Sequence, residues 1–138
     1  MIILDTNVLS AVMRRDADPL VVAWLDRQPS ESLWITTITV FEIRFRLELL
    51  PDSRKRQALE TAFAQALEED FQRRILPFDF RAAEEAAMLA ARRRNAGQTV
   101  EFRDTQIAGI ALARQAVLAT RNVRHFQDVP VTVIDPST

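Results

Sequence analysis

The sequence predicts an α/β fold in which a mostly parallel, doubly wound sheet of about five short strands is flanked by helices. Short apolar runs alternate with longer segments of helical periodicity from one end of the chain to the other. Such alternation favours a parallel sheet that is covered on both faces and connected by right-handed crossovers. The chain has 138 residues, of which 48% are hydrophobic, and it shows no internal repeat or linker-like stretch. We therefore expect a single domain over residues 1–138 with a sizeable core.

The N-terminal half is predicted to contain two strands and three helices. The strands are the apolar runs at residues 2–4 and 33–35, and the first of them ends at a polar Asp-Thr-Asn, as a buried strand does before a helix. Helical patterns cover residues 8–13, residues 19–27 with a proline in the first turn, and a segment from about residue 39 to Pro51. On the third helix we expect the apolar stripe to face the core; it consists of Ile38, Phe41, Phe45 and Leu49.

The C-terminal half is predicted to add three helices and three strands. In the first helix, apolar residues recur at every fourth position, at Leu59, Phe63, Leu67 and Phe71. An alanine-rich helix over residues 81–94 is followed by a C-terminal cap at Gly97, and another helix spans residues 102–115. The remaining β-type runs lie at residues 75–78, 117–119 and 131–134.

The composition restricts the chemistry of any metal site. The chain has no cysteine and one histidine, so it can contain neither a disulfide nor a thiolate-bound metal. A metal would have to be held mainly by oxygen, which indicates a hard cation such as Mg²⁺ or Mn²⁺. The start of the sequence does not resemble a signal peptide, and no run of about 18 apolar residues is present. We therefore expect a cytoplasmic protein without a membrane partner.

The formal net charge is −1, so the charge of the whole protein does not indicate nucleic-acid binding. Binding to a nucleic acid would have to be local. The basic residues are almost all arginines and occur in clusters, among them Arg92-Arg93-Arg94. Such clusters are usually solvated helix faces or helix ends, but the planar guanidinium group also suits phosphate.

Asp5 is the first candidate functional residue. It directly follows the first strand, and open parallel sheets bind ligands in a crevice at the carboxyl ends of their strands. An aspartate in this position also commonly caps the following helix, although Asn7 could do so equally well. Asp5 is therefore either a functional carboxylate at the sheet edge or an N-cap.

Glu42 is the second candidate, because it lies on or beside the apolar stripe of the third helix, where an unpaired charge is costly. Two structural interpretations remain open. Thr39, three residues earlier, could form a capping box with Glu42, and Arg46, four residues later, could form an ion pair with it.

Asp104 is the third candidate. It stands at the leading end of a helical face that must be buried, formed by Ile107, Ala108, Ala111 and Leu112. The carboxylate could simply complement the helix dipole, but its position also directs it inward toward the sheet. Glu101, one turn earlier, is either an auxiliary acid or a solvated residue of the first turn.

Three inward carboxylates without an inward lysine would raise one another's pKa. A divalent cation would relieve this repulsion. Mg²⁺ takes one or two direct carboxylates and keeps several waters, so a loose cluster of Asp and Glu suits it. Such an ion can lower the pKa of a bound water and offset the charge that develops on a phosphodiester under attack.

Four segments together resemble the PIN-domain ribonucleases, and more closely the VapC-like toxins of bacterial toxin–antitoxin pairs. They are Leu4-Asp5-Thr6-Asn7, Thr39-Val40-Phe41-Glu42, Asp104-Thr105-Gln106-Ile107-Ala108 and Ala119-Thr120-Arg121-Asn122. Their order and spacing match along nearly the whole chain. The resemblance is closest to the FitB-like branch, which also includes the segment Arg74-Ile75-Leu76-Pro77-Phe78-Asp79.

This resemblance implies a Mg²⁺-dependent (or Mn²⁺-dependent) endoribonuclease whose acidic site consists of Asp5, Glu42 and Asp104. It also implies a cognate, small DNA-binding antitoxin that occupies the site, and a homodimer. Members of the family often have a fourth acid after the late strand, where this sequence has Asn122 with His125 nearby. Asn122 could bind through its carbonyl or position water, whereas His125 is either a surface loop residue or a phosphate contact. Thr6 and Thr120 are candidate hydroxyl helpers at the strand ends.

Two other functions compete with this interpretation. A dehalogenase-type phosphatase also begins with an aspartate after its first strand, but it needs a second aspartate where this chain has Asn7. A catalytically silent PIN domain that acts only as a binding partner is the stronger alternative. The asparagine at position 122 and the modest net charge favour it, whereas the presence of all three acids does not.

Overall fold

The computed structural model describes residues 1–138 and contains one five-stranded parallel sheet with helices on both faces. The strands are β1 (Ile2–Leu4), β2 (Leu33–Thr36), β3 (Ile75–Leu76), β4 (Val117–Ala119) and β5 (Val133–Ile134). The helices are α1 (Thr6–Met13), α2 (Pro19–Asp26), α3 (Thr37–Leu49), α4 (Arg54–Gln65), α5 (Phe80–Asn95) and α6 (Phe102–Arg114). Short 3₁₀-helices cover Ser30–Ser32 and Val123–Phe126, and α4 continues as a π-helical turn at Ala66–Asp70.

The strand order is β3-β2-β1-β4-β5, so the direction of winding reverses at the central strand β1. On one side β1 pairs with β2, with Ile3 opposite Trp34, and on the other side it pairs with β4, with Ile3 opposite Leu118. In sheets of this kind the reversal opens a crevice at the carboxyl ends of the two strands that diverge. This crevice lies where β1 and β4 end, at Asp5 and Thr120.

Two apolar cores lie on opposite faces of the sheet. One is formed mainly by α1 to α4 and contains Val8, Val21 and Phe63, and the other is formed mainly by α5 and α6 and contains Leu89 and Ile110. Gly109 on α6 allows α5 to approach closely, because a side chain there would lie 2.5 Å from the carbonyl oxygen of Ala82.

The predicted α/β architecture with its five parallel strands is confirmed, and most element boundaries differ from the prediction by a few residues. The strands predicted over residues 75–78 and 131–134 are each two residues shorter than expected, because only Ile75–Leu76 and Val133–Ile134 pair in the sheet. Gly97 has the predicted positive φ of +75° at the end of α5. No helix combines the length and the apolar character that crossing a bilayer requires.

The prediction that the apolar stripe of α3 faces the core is wrong for three of its four residues. Phe41, Phe45 and Leu49 are 63%, 51% and 70% exposed, and the rings of Phe41 and Phe45 stack on each other with their centroids 6.1 Å apart. The helix instead buries Thr39, Glu42, Ile43 and Leu47. Helical periodicity identifies apolar faces, but it cannot decide which of two such faces meets the core.

Candidate metal and nuclease site

Asp5 ends the central strand and begins α1. Its backbone N–H continues the pairing of β1 with β4 by donating to the carbonyl of Ala119 at 2.8 Å. Its side chain is buried, and both carboxylate oxygens accept a hydrogen bond of 2.8 Å, Oδ1 from the N–H of Thr6 and Oδ2 from the hydroxyl of Thr120. Asp5 is therefore the N-cap of α1 and at the same time a carboxylate at the crevice, so the two interpretations of its sequence position are compatible.

The environment of Asp5 disfavours its charged form. Its pKa is raised from 3.8 to about 6, mainly by burial; the charges of Asp104 and Glu42 contribute to the rise, and the hydrogen bonds from Thr120 and Thr6 oppose it. Because Asp104 and Glu42 affect this pKa, the carboxyl groups from β1, α3 and α6 are within electrostatic reach of one another. A bound cation would remove the penalty by favouring the charged form.

Glu42 lies on the buried face of α3, with 8% of its surface exposed. Its Oε1 accepts a hydrogen bond of 2.8 Å from the hydroxyl of Thr6, which is also 2.9 Å from the hydroxyl of Thr39. Of the two structural interpretations left open for Glu42, the capping box with Thr39 is excluded, because Thr36 caps α3 by accepting from the N–H of Thr39.

Two exposed arginines flank the outer oxygen of Glu42. Arg46 and Arg103 each place a guanidinium nitrogen 3.7 Å from Glu42 Oε2, and both arginine side chains are at least half exposed. The ion pair with Arg46 that the sequence suggested is thus present, and Arg103 adds a second one that it did not suggest. Contacts of this length at exposed side chains are weak.

Asp104 occupies the first turn of α6, and its side chain is 20% exposed. Glu101 is exposed and caps this helix by accepting a hydrogen bond from the N–H of Arg103. It is therefore a solvated residue at the start of the helix. Asp104 Oδ2 lies 2.7 Å from Nδ1 of His125, the only histidine in the chain. A polar cavity of about 410 Å³ opens beside this pair, and none of the residues that line it is hydrophobic.

Asn122 follows β4 and precedes the 3₁₀-helix that carries His125. Its residue surface is exposed, and its contact with the site is made by its backbone N–H, which donates to the hydroxyl of Thr120 at 3.0 Å. The structure therefore places Asn122 next to a ligand-orienting hydroxyl but gives its side chain no hydrogen bond to a carboxylate.

The donor set fits Mg²⁺ or Mn²⁺ and does not fit zinc. The carboxylates are oxygen ligands, and the chain lacks cysteine. No group of three or more His, Asp or Glu side chains is close enough to enclose an ion by itself. An open arrangement of this kind suits a cation that binds one or two carboxylates and keeps several waters.

Sequence reasoning missed three contributors to this region. Thr39 contacts the Thr6 hydroxyl, Asn7 accepts from the N–H of Arg121 at 3.1 Å, and Arg93 is buried with 6% of its surface exposed. A signal for Arg93 was available, because it continues the buried face of α5 that contains Ala82, Ala86 and Leu89. The contacts of Thr39 and Asn7 depend on the tertiary fold and left no signal in the local pattern.

Comparison with known proteins gives a consistent assignment. The family model described as PIN domain matches residues 2–131. The plasmid stability protein StbB of Pseudomonas syringae pv. tomato is 39% identical over 99% of this chain and 98% of its own length. The VapC ribonuclease Y4jK of Sinorhizobium fredii is 34% identical over 99% and 97%, and the toxin FitB of Neisseria gonorrhoeae is 35% identical over 99% and 98%.

Among solved structures, the FitAB complex bound to a DNA fragment contains a chain that superposes on this one with a TM-score of 0.90 and 34% sequence identity. The match covers 100% of this chain and 96% of that chain. The sheet order, the site at the strand reversal, the family model and the relatives at this level of identity all agree, and the chain therefore belongs to the PIN-domain family.

Proposed function

We propose that this chain is the toxin of a bacterial toxin–antitoxin pair and that it is a Mg²⁺-dependent endoribonuclease. The observation that carries the proposal is that Thr6, at the strand reversal, joins Asp5 and Glu42 by hydrogen bonds, while Asp104 lies near enough for its charge to act on Asp5. The similarity over nearly the whole chain to proteins named VapC ribonuclease and toxin FitB supports both the activity and the biological role.

In this proposal Asp5, Asp104 and Glu42 hold the metal ion, with Mn²⁺ as a substitute for Mg²⁺. When bound, the ion supplies an acidified water and stabilises negative charge on the phosphate. The hydroxyls of Thr120 and Thr6 orient the carboxylates of Asp5 and Glu42, each over 2.8 Å. Asn122 is the fourth site residue, where its amide carbonyl faces the ion or its water shell.

RNA binding relies on local charge, because the net charge of the chain is −1. Arg46 and Arg103 are the candidates for contacts with the RNA phosphates, since their exposed guanidinium groups lie beside Glu42. The polar cavity next to Asp104 gives room for a nucleotide on one side of the cleaved bond. Its lining includes Gln98 and Gln127, whose amides can both donate and accept hydrogen bonds.

We further propose a small DNA-binding antitoxin as the protein partner. The exposed apolar residues Phe41, Phe45 and Leu49 form a continuous stripe on α3 that begins next to Glu42. Apolar surface of this kind is typical of a protein interface. Phe80 and Met88 on α5 are exposed as well and leave a second surface for the proposed homodimer.

Cleavage of RNA by the purified chain tests the activity. We expect cleavage with Mg²⁺ or Mn²⁺, loss of cleavage with EDTA, and recovery when the cation is added back. Asp16→Asn serves as a control because Asp16 is an exposed acid outside the site, and it should cleave like the wild type. Cleavage that resists EDTA would exclude the metal mechanism.

The alternative of a catalytically silent PIN domain is tested by the same experiment. It predicts no cleavage of any RNA with either cation, together with intact binding to the antitoxin. Expression in a bacterial host separates the two functions further, because a toxin should arrest growth unless the antitoxin is co-expressed, whereas a silent domain should not.

A further inference from the structure

Arg93 is buried at 6% exposure next to the candidate site, and it connects three elements. From α5, its Nε and Nη2 atoms donate to the two carboxylate oxygens of Asp128, each over 2.8 Å. The same Nη2 donates to the backbone carbonyl of His125 at 2.8 Å, and Nη1 donates to the hydroxyl of Thr105 at 3.1 Å. Arg93 therefore ties the 3₁₀-helix that carries His125 to the first turn of α6.

These contacts bear directly on Asp104, the neighbour of Thr105. An ionised carboxylate can only accept hydrogen bonds, so in the 2.7 Å contact of His125 Nδ1 with Asp104 Oδ2 the imidazole must donate. That contact occupies one oxygen of Asp104 and leaves Oδ1 free of hydrogen bonds within the chain. The imidazole thus fixes the rotation of a carboxylate that the proposed function assigns to the metal.

We propose that Arg93 is a positioning residue of the nuclease site, acting through His125 on Asp104. This inference rests on the proposed function for the role of Asp104. Arg93 holds the His125 carbonyl from one side, while Phe126, buried at 1% exposure, anchors the next residue of the same 3₁₀-helix in the core. The imidazole itself is 53% exposed, so its contact with Asp104 depends on how firmly the backbone that carries it is placed.

Stability alone does not account for an arginine at this position. Arg93 is buried while its partner Asp128 is 39% exposed, so the pair gains little from charge attraction and the burial of the guanidinium group is itself costly. The guanidinium group uses its planar fork on Asp128 and still supplies hydrogen bonds to two other elements, a geometry that a lysine could not reproduce. In this proposal, the role of Arg93 is to fix the orientation of His125 and Thr105 relative to each other.

Imidazole NMR spectroscopy of the metal-free chain tests the first step. Because the chain has a single histidine, its ring signals are assigned without ambiguity. At about pH 8, where an ordinary imidazole is neutral, we expect the wild type to carry its proton on Nδ1. Arg93→Met should shift the ring toward the Nε2-protonated form and hasten proton exchange. Arg81→Met, an equal change at an exposed position of the same helix, should leave the signals unchanged.

Metal affinity and kinetics test the second step. Loss of a residue that orients a metal ligand typically costs about 10- to 100-fold in affinity or activity. We expect Arg93→Met to weaken Mg²⁺ binding by at least about tenfold in calorimetry without RNA and to lower kcat, with the KM for RNA unchanged. Arg93→Lys keeps the charge without the fork and should fall between Arg93→Met and the wild type.

The outcomes separate this inference from the proposed function. If the wild type cleaves no RNA, the proposed function fails. The His125 tautomer and the Mg²⁺ affinity of the variants can still be measured, and they test the role of Arg93 independently of cleavage. An unchanged His125 spectrum and unchanged Mg²⁺ affinity in a folded Arg93→Met chain would overturn the inference. Should that variant unfold, Asp128→Asn, which leaves Arg93 in place and weakens its fork contact, must produce the same changes in smaller measure, and their absence would equally overturn it.

Discussion

At the scale of single residues, Asp5 is held as a carboxylate in surroundings that penalise its charge. It caps α1, accepts a hydroxyl hydrogen bond and is buried, and burial raises its pKa to about 6. An ordinary N-cap lies at the surface, where its charge is solvated. The burial of Asp5 is therefore explained by a metal ion better than by helix capping alone.

The first prediction concerns Asp5→Asn and Asp104→Asn. Each variant keeps the size and most hydrogen bonds of the side chain but removes a negative charge from the site. We expect each to abolish RNA cleavage while the far-ultraviolet circular dichroism spectrum and the cooperative thermal melt are retained. A variant that kept full Mg²⁺-dependent activity would remove its residue from the proposed metal site.

The second prediction concerns Asn122, at the position where the resemblance to the PIN-domain family led us to expect a fourth acid. Asn122→Asp adds a negative charge beside the Thr120 hydroxyl, so the Mg²⁺ concentration for half-maximal cleavage should fall by about tenfold. Asn122→Ala should weaken the metal dependence less than Asp5→Asn does. If both changes at position 122 are silent, the residue serves only the turn after β4.

At the scale of elements, α3 has two faces with different uses. One face buries Thr39, Glu42, Ile43 and Leu47, and the other exposes Phe41, Phe45 and Leu49 to solvent. The helix thus presents a carboxylate to the interior and an apolar stripe to the outside. The stripe begins at Phe41, the residue that precedes Glu42 in the sequence.

The third prediction tests that outer face. Phe45→Asp should weaken binding of the cognate antitoxin by at least about 30-fold, which corresponds to about 2 kcal/mol for an aromatic contact in an interface. Cleavage of RNA in the absence of antitoxin should be unchanged. Leu20→Asp provides a control, because Leu20 is 57% exposed on α2, away from the stripe. Equal affinities of wild type and Phe45→Asp would show that the antitoxin binds elsewhere.

The same helix shows where prediction from the sequence stops. The alternation of strands and helices sufficed for the fold class, and the placement of Asp5 after a buried strand sufficed to locate the crevice. The buried face of α3 was misassigned, because its outer face is the more apolar of the two and only packing decides between them. The contact of His125 with Asp104 joins residues 21 positions apart through the tertiary fold and could not be inferred from local spacing.

At the scale of the whole molecule, the site costs the protein stability when no metal is bound. The folded chain binds a proton at Asp5 more tightly than the unfolded chain does. The pKa of this carboxyl is about 6 in the folded chain, whereas an unperturbed aspartate, as in the unfolded chain, has a pKa of 3.8. The stability that protonated Asp5 contributes is therefore fully present below about pH 4 and is lost as the pH rises through about 6. The difference amounts to up to about 3 kcal/mol.

The fourth prediction follows from this difference. In EDTA, Asp5→Asn should melt several degrees above the wild type at neutral pH, and the gap should close as the pH is lowered toward 4. Added Mg²⁺ should raise the melting temperature of the wild type and have little effect on the variant. A gap that is independent of pH would mean that Asp5 carries no charge penalty in the folded chain.

The central position of β1 has a consequence for the synthesis of the protein. The site at the end of β1 is completed only after β4 has been made, because Thr120, which follows β4, orients the carboxylate of Asp5 across 115 positions of the chain. Asp104 and His125 also emerge late. A nascent chain therefore carries an incomplete site for most of its translation, and products truncated before β4 should be harmless to the cell that makes them.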